Sequence, residues 1–173
     1  MKNLLLFLAI ILLGFSCASK GERPLVNGYQ LPDMELEDQD GKKIKLSEIE
    51  NKIILVEFWA SWCQPCRDKH IELNQIYLQY KNKEFKNADG FEIYYVSLDD
   101  KKDLWLDAMK KDGIQNWAYQ VADLVGMKKS PIPKQFQFEQ IPTSYLIDAK
   151  GTIIGRNLPE HNLYYELYYR LAK

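Results

Sequence analysis

Cysteine is scarce in this chain, with only Cys17, Cys63 and Cys66 among 173 residues. One closely spaced pair and one distant single residue cannot staple a fold of this size, because a very short loop removes little entropy from the unfolded chain. The cysteines therefore point to chemistry rather than to a scaffold. An excess of one charge is lacking too. The 23 basic and 24 acidic side chains are interleaved and leave a formal net charge of -1, so there is no electrostatic footprint for nucleic acid or an anionic membrane surface. No apolar run reaches the roughly 20 residues that a membrane-spanning helix needs, and no internal repeat or low-complexity segment is visible. What the chain does have is length and a hydrophobic fraction of 46%, enough to bury one core and to argue for a single folded domain.

The N-terminus carries Lys2, an apolar run over residues 4–13 and then the small residues Gly14, Ser16 and Ala18, the pattern of a secretory signal. Leu13-Gly14-Phe15-Ser16-Cys17 resembles a bacterial lipoprotein box, in which the cysteine becomes the lipidated first residue. Ordinary cleavage, leaving Cys17 as a free thiol, is the alternative. The expected division is a signal peptide over 1–16, a lipidated N-terminus and polar tether over 17–28, and a folded domain over 29–173. Acyl chains on Cys17 would hold the domain at a membrane by burying their methylenes. No Asp follows Cys17, so retention at the inner membrane is not signalled and the choice of membrane stays open.

Within the folded part, residues 34–37 and 43–46 alternate apolar and polar side chains around Asp40-Gly41, which predicts a hairpin with one exposed face. Residues 53–59 form a nearly continuous apolar run, as in a strand covered on both faces, interrupted by Glu57. A helix follows over 66–80, with Ile71, Ile76 and Leu78 among the apolar residues at helical spacing. A second apolar strand over 91–98 leads to a helix over 103–111, with Asp99 or Asp100 as its cap and Gly113 as its stop. Residues 144–147 and 152–155 flank a turn, and 162–172 form a closing helix. The stretch 116–140 is the least legible and is expected to hold a short strand and an irregular helix. A strand–helix–strand unit followed by a hairpin and a helix implies one mixed sheet with helices on both faces.

Trp62-Cys63-Gln64-Pro65-Cys66 lies between the buried strand and the first helix. At a helix N-terminus the unpaired N–H groups and the positive end of the macrodipole favour thiolate over thiol, which makes Cys63 the natural nucleophile. Cys66, three residues on, lies close enough to form a disulfide and to resolve a mixed one, and Pro65 is tolerated in the first turn. A metal site using Cys63, Cys66 and His70 is the competing arrangement, but zinc usually takes four ligands, and a histidine on such a helix is most often solvated. Glu57, in a strand buried on both faces, should have its pKa raised toward neutrality. Its alternative is an ion pair with a lysine at the sheet edge. Trp59 and Trp62 flank the pair as an apolar platform, with plain core packing sufficient for Trp59. The tyrosines 164, 165, 168 and 169 read as packing plus a solvated edge.

Residues 55–66, Leu-Val-Glu-Phe-Trp-Ala-Ser-Trp-Cys-Gln-Pro-Cys, together with residues 141–148, Ile-Pro-Thr-Ser-Tyr-Leu-Ile-Asp, resemble the TlpA/ResA-like thioredoxin family of envelope oxidoreductases. The resemblance implies a thioredoxin-like three-layer α/β/α fold, with a mixed central sheet and an N-terminal β-hairpin extension. It implies that Pro142 is a cis-proline against the cysteine pair, that Ile141 offers its backbone to a substrate strand, and that Glu57 is the buried acid that deprotonates Cys66. Trp62, Gln64 and Pro65 are then expected to border the substrate. The expected activity is exchange of the Cys63/Cys66 dithiol with protein disulfides, in the reducing direction, on the periplasmic side of the envelope. A membrane-embedded donor would re-reduce the pair, with no cofactor beyond the pair itself and no metal. A peroxiredoxin-like peroxidase and a non-enzymatic anchored assembly or metal-chaperone module are the alternatives.

Overall fold

The computed structural model describes residues 24–173; the expected signal peptide, the expected lipidation at Cys17 and most of the expected tether lie outside them. Seven strands form one sheet in the order β2-β1-β5-β4-β3-β6-β7. The hairpin opens the domain as β1 (Glu35–Asp38) and β2 (Lys43–Lys45), antiparallel, followed by a 3-10 turn at Leu46–Glu48. At the centre β3 (Ile53–Trp59) pairs in parallel with β4 (Phe91–Ser97) and antiparallel with β6 (Thr143–Ile147). Every residue of β3 is buried, Glu57 included, which accounts for its nearly continuous apolar sequence. Beyond β4 lies β5 (Tyr119–Ala122), to which β1 pairs antiparallel, so that the hairpin extends the sheet and β2 forms one edge; β7 (Ile153–Arg156) forms the other.

The two sheet faces are covered unequally. Ile53, Leu55 and Trp59 share one cluster with residues of α1 (Gln64–Tyr80), α2 (Lys102–Asp112) and α4 (Glu160–Arg170). Ile54, Val56 and Phe58 face the four-residue α3 (Ile132–Gln135), the 3-10 turn and the chain around Leu25, Leu31 and Met34. The split follows from strand alternation, which sends odd and even positions of β3 to opposite faces. The illegible stretch resolves into β5 and α3. Among the described residues no helix is long and apolar enough to cross a membrane.

Four local expectations are corrected. Ile71 (68% exposed) and Leu78 face water, while Cys66, His70, Leu73, Tyr77 and Tyr80 form the buried stripe of α1. That stripe repeats at steps of four and three and meets β3 and β4, so it outcompetes the aliphatic residues between. Asp99 and Asp100 do not cap α2, whose N-cap is Lys101 with no side-chain hydrogen bond; Gly113 does end it, in the left-handed region at φ 72°. The closing helix starts and ends two residues earlier than expected. Finally, the last residues of the expected tether are packed. Leu25 is buried, its N–H donates to the Gln137 Oε1 at 3.1 Å, and the Gly28 N–H donates to the Ile153 carbonyl at 2.8 Å. Packing therefore reaches back at least to Leu25 rather than starting at Tyr29, because β7 has a free edge that the incoming chain can pair with. Leu25→Ala should lower stability by about 2 to 4 kcal/mol in urea unfolding; a change within about 0.5 kcal/mol would show this segment to be a loose leash.

Candidate active site

Both cysteines stand where β3 ends and α1 begins. The strand stops at Trp59, and residues 60–63 turn the chain so that Cys63 becomes the N-cap of α1. The turn is held from below. The Ser61 N–H donates to Asp99 Oδ2 at 2.9 Å, its hydroxyl donates to Asp99 Oδ1 at 2.6 Å, and the Ser97 hydroxyl donates to the same carboxylate at 2.8 Å. Asp99 is fully buried at the end of β4, so its carboxylate is an internal post for the active-site loop. Sequence reading assigned it to a helix cap; its place directly after a buried strand beside the cysteine-bearing loop is the signal that was there to use.

Cys63 and Cys66 are joined as a disulfide, with Cα atoms 5.3 Å apart. The Cys66 N–H donates to the Cys63 sulfur at 3.3 Å, so the capping interaction that starts α1 is made by the cysteine itself. Cys66 is 1% exposed and Cys63 5%, less open than a free surface sulfur would be. The cause is the cap: a side chain folded over its own helix start spends its surface there. Cys63 is the less buried of the two, next in the chain to Trp62, which is 59% exposed. Trp59 is wholly core. Gln64 turns away along the helix and donates to Asp68 at 2.7 Å. The Ile141–Pro142 bond is cis. Since Phe58 pairs with Thr143, Pro142 lies across from the end of β3, beside the cysteine loop.

Beneath α1 lies a layer of polar groups in a dry interior. Glu57 is 1% exposed, between Tyr95 on β4 and Ser144 on β6. Alternation along β3 puts it on the face of Leu55 and Trp59, toward the cysteines. Neither of its oxygens has a hydrogen-bond partner, and the Lys69 ammonium is 3.7 Å from Oε1. Burial pushes its pKa up to about 7, against the pull of Lys69 and with some help from Glu160. Lys69 comes from α1 rather than the sheet edge and also meets Glu160 at 3.3 Å. His70, expected at the surface, is 1% exposed, with Nδ1 2.8 Å from Asp112 Oδ2. Its position in the 66-70-73-77-80 stripe was readable; Asp112, 42 residues away, was not.

A cavity of about 530 Å³, lined by Ile53, Lys86, Lys150 and Arg170 among others, opens at the start of β3, the end opposite the cysteines. An enclosed pocket is not what disulfide exchange with another chain requires.

The AhpC/TSA family matches residues 27–156. A thiol-disulfide oxidoreductase ResA of Bacillus thuringiensis subsp. konkukian is 30% identical over 163 residues, covering 88% of this chain and 87% of that protein. Among solved structures, the thioredoxin domain of a thiol-disulfide oxidoreductase from Bacteroides vulgatus is 27% identical at a TM-score of 0.74, covering 86% of this chain and 100% of that one. A thiol-disulfide oxidoreductase from Bacteroides fragilis is 32% identical at a TM-score of 0.72, covering 83% of this chain and 100% of that one.

Because the folded pKa of Glu57 lies above its ordinary value of 4.5, the native state holds this proton more tightly than the unfolded chain. Its contribution to stability is complete below about pH 4.5 and is lost as pH rises through about 7. Glu57→Gln should therefore stabilise the disulfide form at about pH 8, by on the order of 1 to 3 kcal/mol relative to its effect at about pH 5. Urea unfolding at the two pH values checks this; an equal loss of stability at both would make Glu57 an ionised partner of Lys69.

Proposed function

This chain belongs to the AhpC/TSA family and is a thiol–disulfide oxidoreductase, and on that footing we propose that it reduces disulfides of other proteins in the bacterial cell envelope. The reading is supported above all by the difference between its two cysteines: Cys63 caps the helix, accepts a backbone N–H on its sulfur and is the less buried, and Cys66 lies one turn into the helix on its buried face.

In the dithiol state Cys63 is the thiolate. It attacks a substrate disulfide, forming a mixed disulfide and expelling one substrate thiolate. Cys66 then loses its proton, attacks the Cys63 sulfur and releases the second substrate thiolate. Two electrons have moved to the substrate, and the Cys63–Cys66 disulfide remains. Glu57, buried under α1 with a pKa near neutrality, accepts the Cys66 proton. Ile141 and Pro142 form a ledge beside the cysteine loop on which an extended substrate backbone can pair, with Trp62 and Pro65 as its apolar border. The oxidised pair is returned to dithiol by a membrane-embedded thiol donor, since an oxidising compartment supplies no reduced pool of its own.

The leader and the Leu13-Gly14-Phe15-Ser16-Cys17 box support export and lipidation at Cys17. With the domain packed from Leu25 onward, the eight residue steps back to Cys17 span at most about 29 Å. Such a leash keeps the redox site near the bilayer and its donor.

A peroxidase of the same family would need its reactive cysteine in a loop bearing Pro and Thr, whereas Trp62-Cys63-Gln64-Pro65-Cys66 stands here with both sulfurs joined. Cys66→Ser should accumulate mixed disulfides with envelope proteins, separable on non-reducing gels, while Cys63→Ser should trap none and fall to the uncatalysed rate of exchange. Capture of no partner by Cys66→Ser, or equal capture by both variants, would overturn the reading.

A further inference from the structure

We propose that His70, oriented by Asp112, is a positioning residue for Cys66: it binds a proton when the disulfide opens and gives it up when the disulfide re-forms. The inference rests on the exchange reading above, but its geometry is independent of any substrate.

His70 follows Cys66 by four residues in the buried stripe of α1, which sets the two side chains one turn apart on one face. Its ring is edge-on to Trp59 at 4.8 Å and to Tyr95 at 5.5 Å between centroids. Nδ1 meets the Asp112 carboxylate at 2.8 Å. That carboxylate is fixed in turn by the Arg67 Nε at 3.0 Å and by Nη2, at the last residue of α2 before Gly113. Asp112 only accepts, so Nδ1 carries the proton and Nε2 is left as a base. Nε2 is completely buried and has no partner. An aliphatic side chain would fill the same space without stranding a polar atom. A nitrogen base steadied by a carboxylate, one turn beneath the resolving sulfur, is suited to a charge that the disulfide state does not contain.

The groups facing the ring set the sign. Arg67 and Lys69 from α1 oppose its protonation, Asp112 from α2 favours it, and Tyr95 from β4 stays neutral because burial pushes its hydroxyl up. Glu57 from β3 pairs across the sheet with Tyr95 and meets Lys69 rather than the ring. While both sulfurs are neutral, burial keeps the imidazole neutral. During resolution the Cys66 S–H gives up its proton to Glu57, the new sulfur–sulfur bond forms to Cys63, and the bond from Cys63 to the substrate breaks. The substrate thiolate then takes a proton from solvent. While the opened pair carries a thiolate, on Cys63 in the resting dithiol and on Cys66 during resolution, a proton taken by His70 from solvent balances its charge; when the disulfide closes, that charge is gone and the proton returns to solvent.

The chain has two histidines, and His161 is exposed, so it serves as an internal control. Imidazole nitrogen NMR of the full chain labelled at histidine, over about pH 4 to 9, should place the His70 midpoint at least about one unit higher in the dithiol than in the disulfide form, with His161 unmoved. Asp112→Asn should shrink that difference, while Glu57→Gln should leave it in place. A His70 midpoint equal in the two redox states, or a His70 neutral throughout in both, would overturn the proposal. The shift without trapped partners would instead sink the exchange reading and leave the linkage standing.

Discussion

A single backbone N–H, that of Cys66 aimed at the Cys63 sulfur, joins the fold to the chemistry. It exists because a strand buried on both faces ends at Trp59, because Asp99 anchors the turn through Ser61, and because Cys63 takes the position where a helix has donors to spare. Any one of these could be replaced in a different fold. Together they put a sulfur where the peptide dipoles of α1 favour its ionised form and where its partner is already within bonding distance.

The same helix also covers an unusual quantity of polar surface in a dry layer. Glu57, Lys69, His70 and Asp112 all sit under or along α1, and both Glu57 oxygens and the His70 Nε2 lack hydrogen-bond partners. Such groups cost stability in a resting protein, and apolar substitutes of similar volume would pack at least as well. Their presence beside a cysteine pair makes sense if the charges they answer to are transient. Thiolates appear and vanish with each turnover, and a low-dielectric layer with proton-holding groups at its edge transmits that change across one helical turn. Asp99 is the contrasting case: also fully buried, but saturated by Ser61 and Ser97, it holds a loop in place.

Where the hydrophobic period was unambiguous, the chain could be read directly. The nearly continuous apolar run of β3, the alternation of the opening hairpin and the cysteine spacing all describe local structure, set by neighbours in the chain. The cluster around His70 was harder because it depends on a contact between α1 and the end of α2, which no local pattern encodes. On α1 the choice of buried face was decided by Tyr77, Tyr80 and His70 against the more hydrophobic Ile71 and Leu78. Of the aliphatic residues read as periodic there, Ile76 is buried while Ile71 and Leu78 are not, whereas following the strict four-three spacing from Cys66 gives the buried stripe. The docking of Leu25 escaped notice for a similar reason: a polar, glycine-bearing stretch looks like a leash unless the open edge of β7 is known.

The account depends most on the ionisation of Cys63 in the dithiol state. The pH dependence of its alkylation in the reduced protein, followed by mass spectrometry of the peptide bearing it, measures this directly. The structure calls for half-maximal reactivity at or below about pH 7.5, as for a sulfur served by a helix N-terminus. A midpoint at or above about pH 8.5, that of an ordinary thiol, would mean that the N–H and the helix do nothing for this sulfur, and the assignment of Cys63 as the nucleophile would be contradicted.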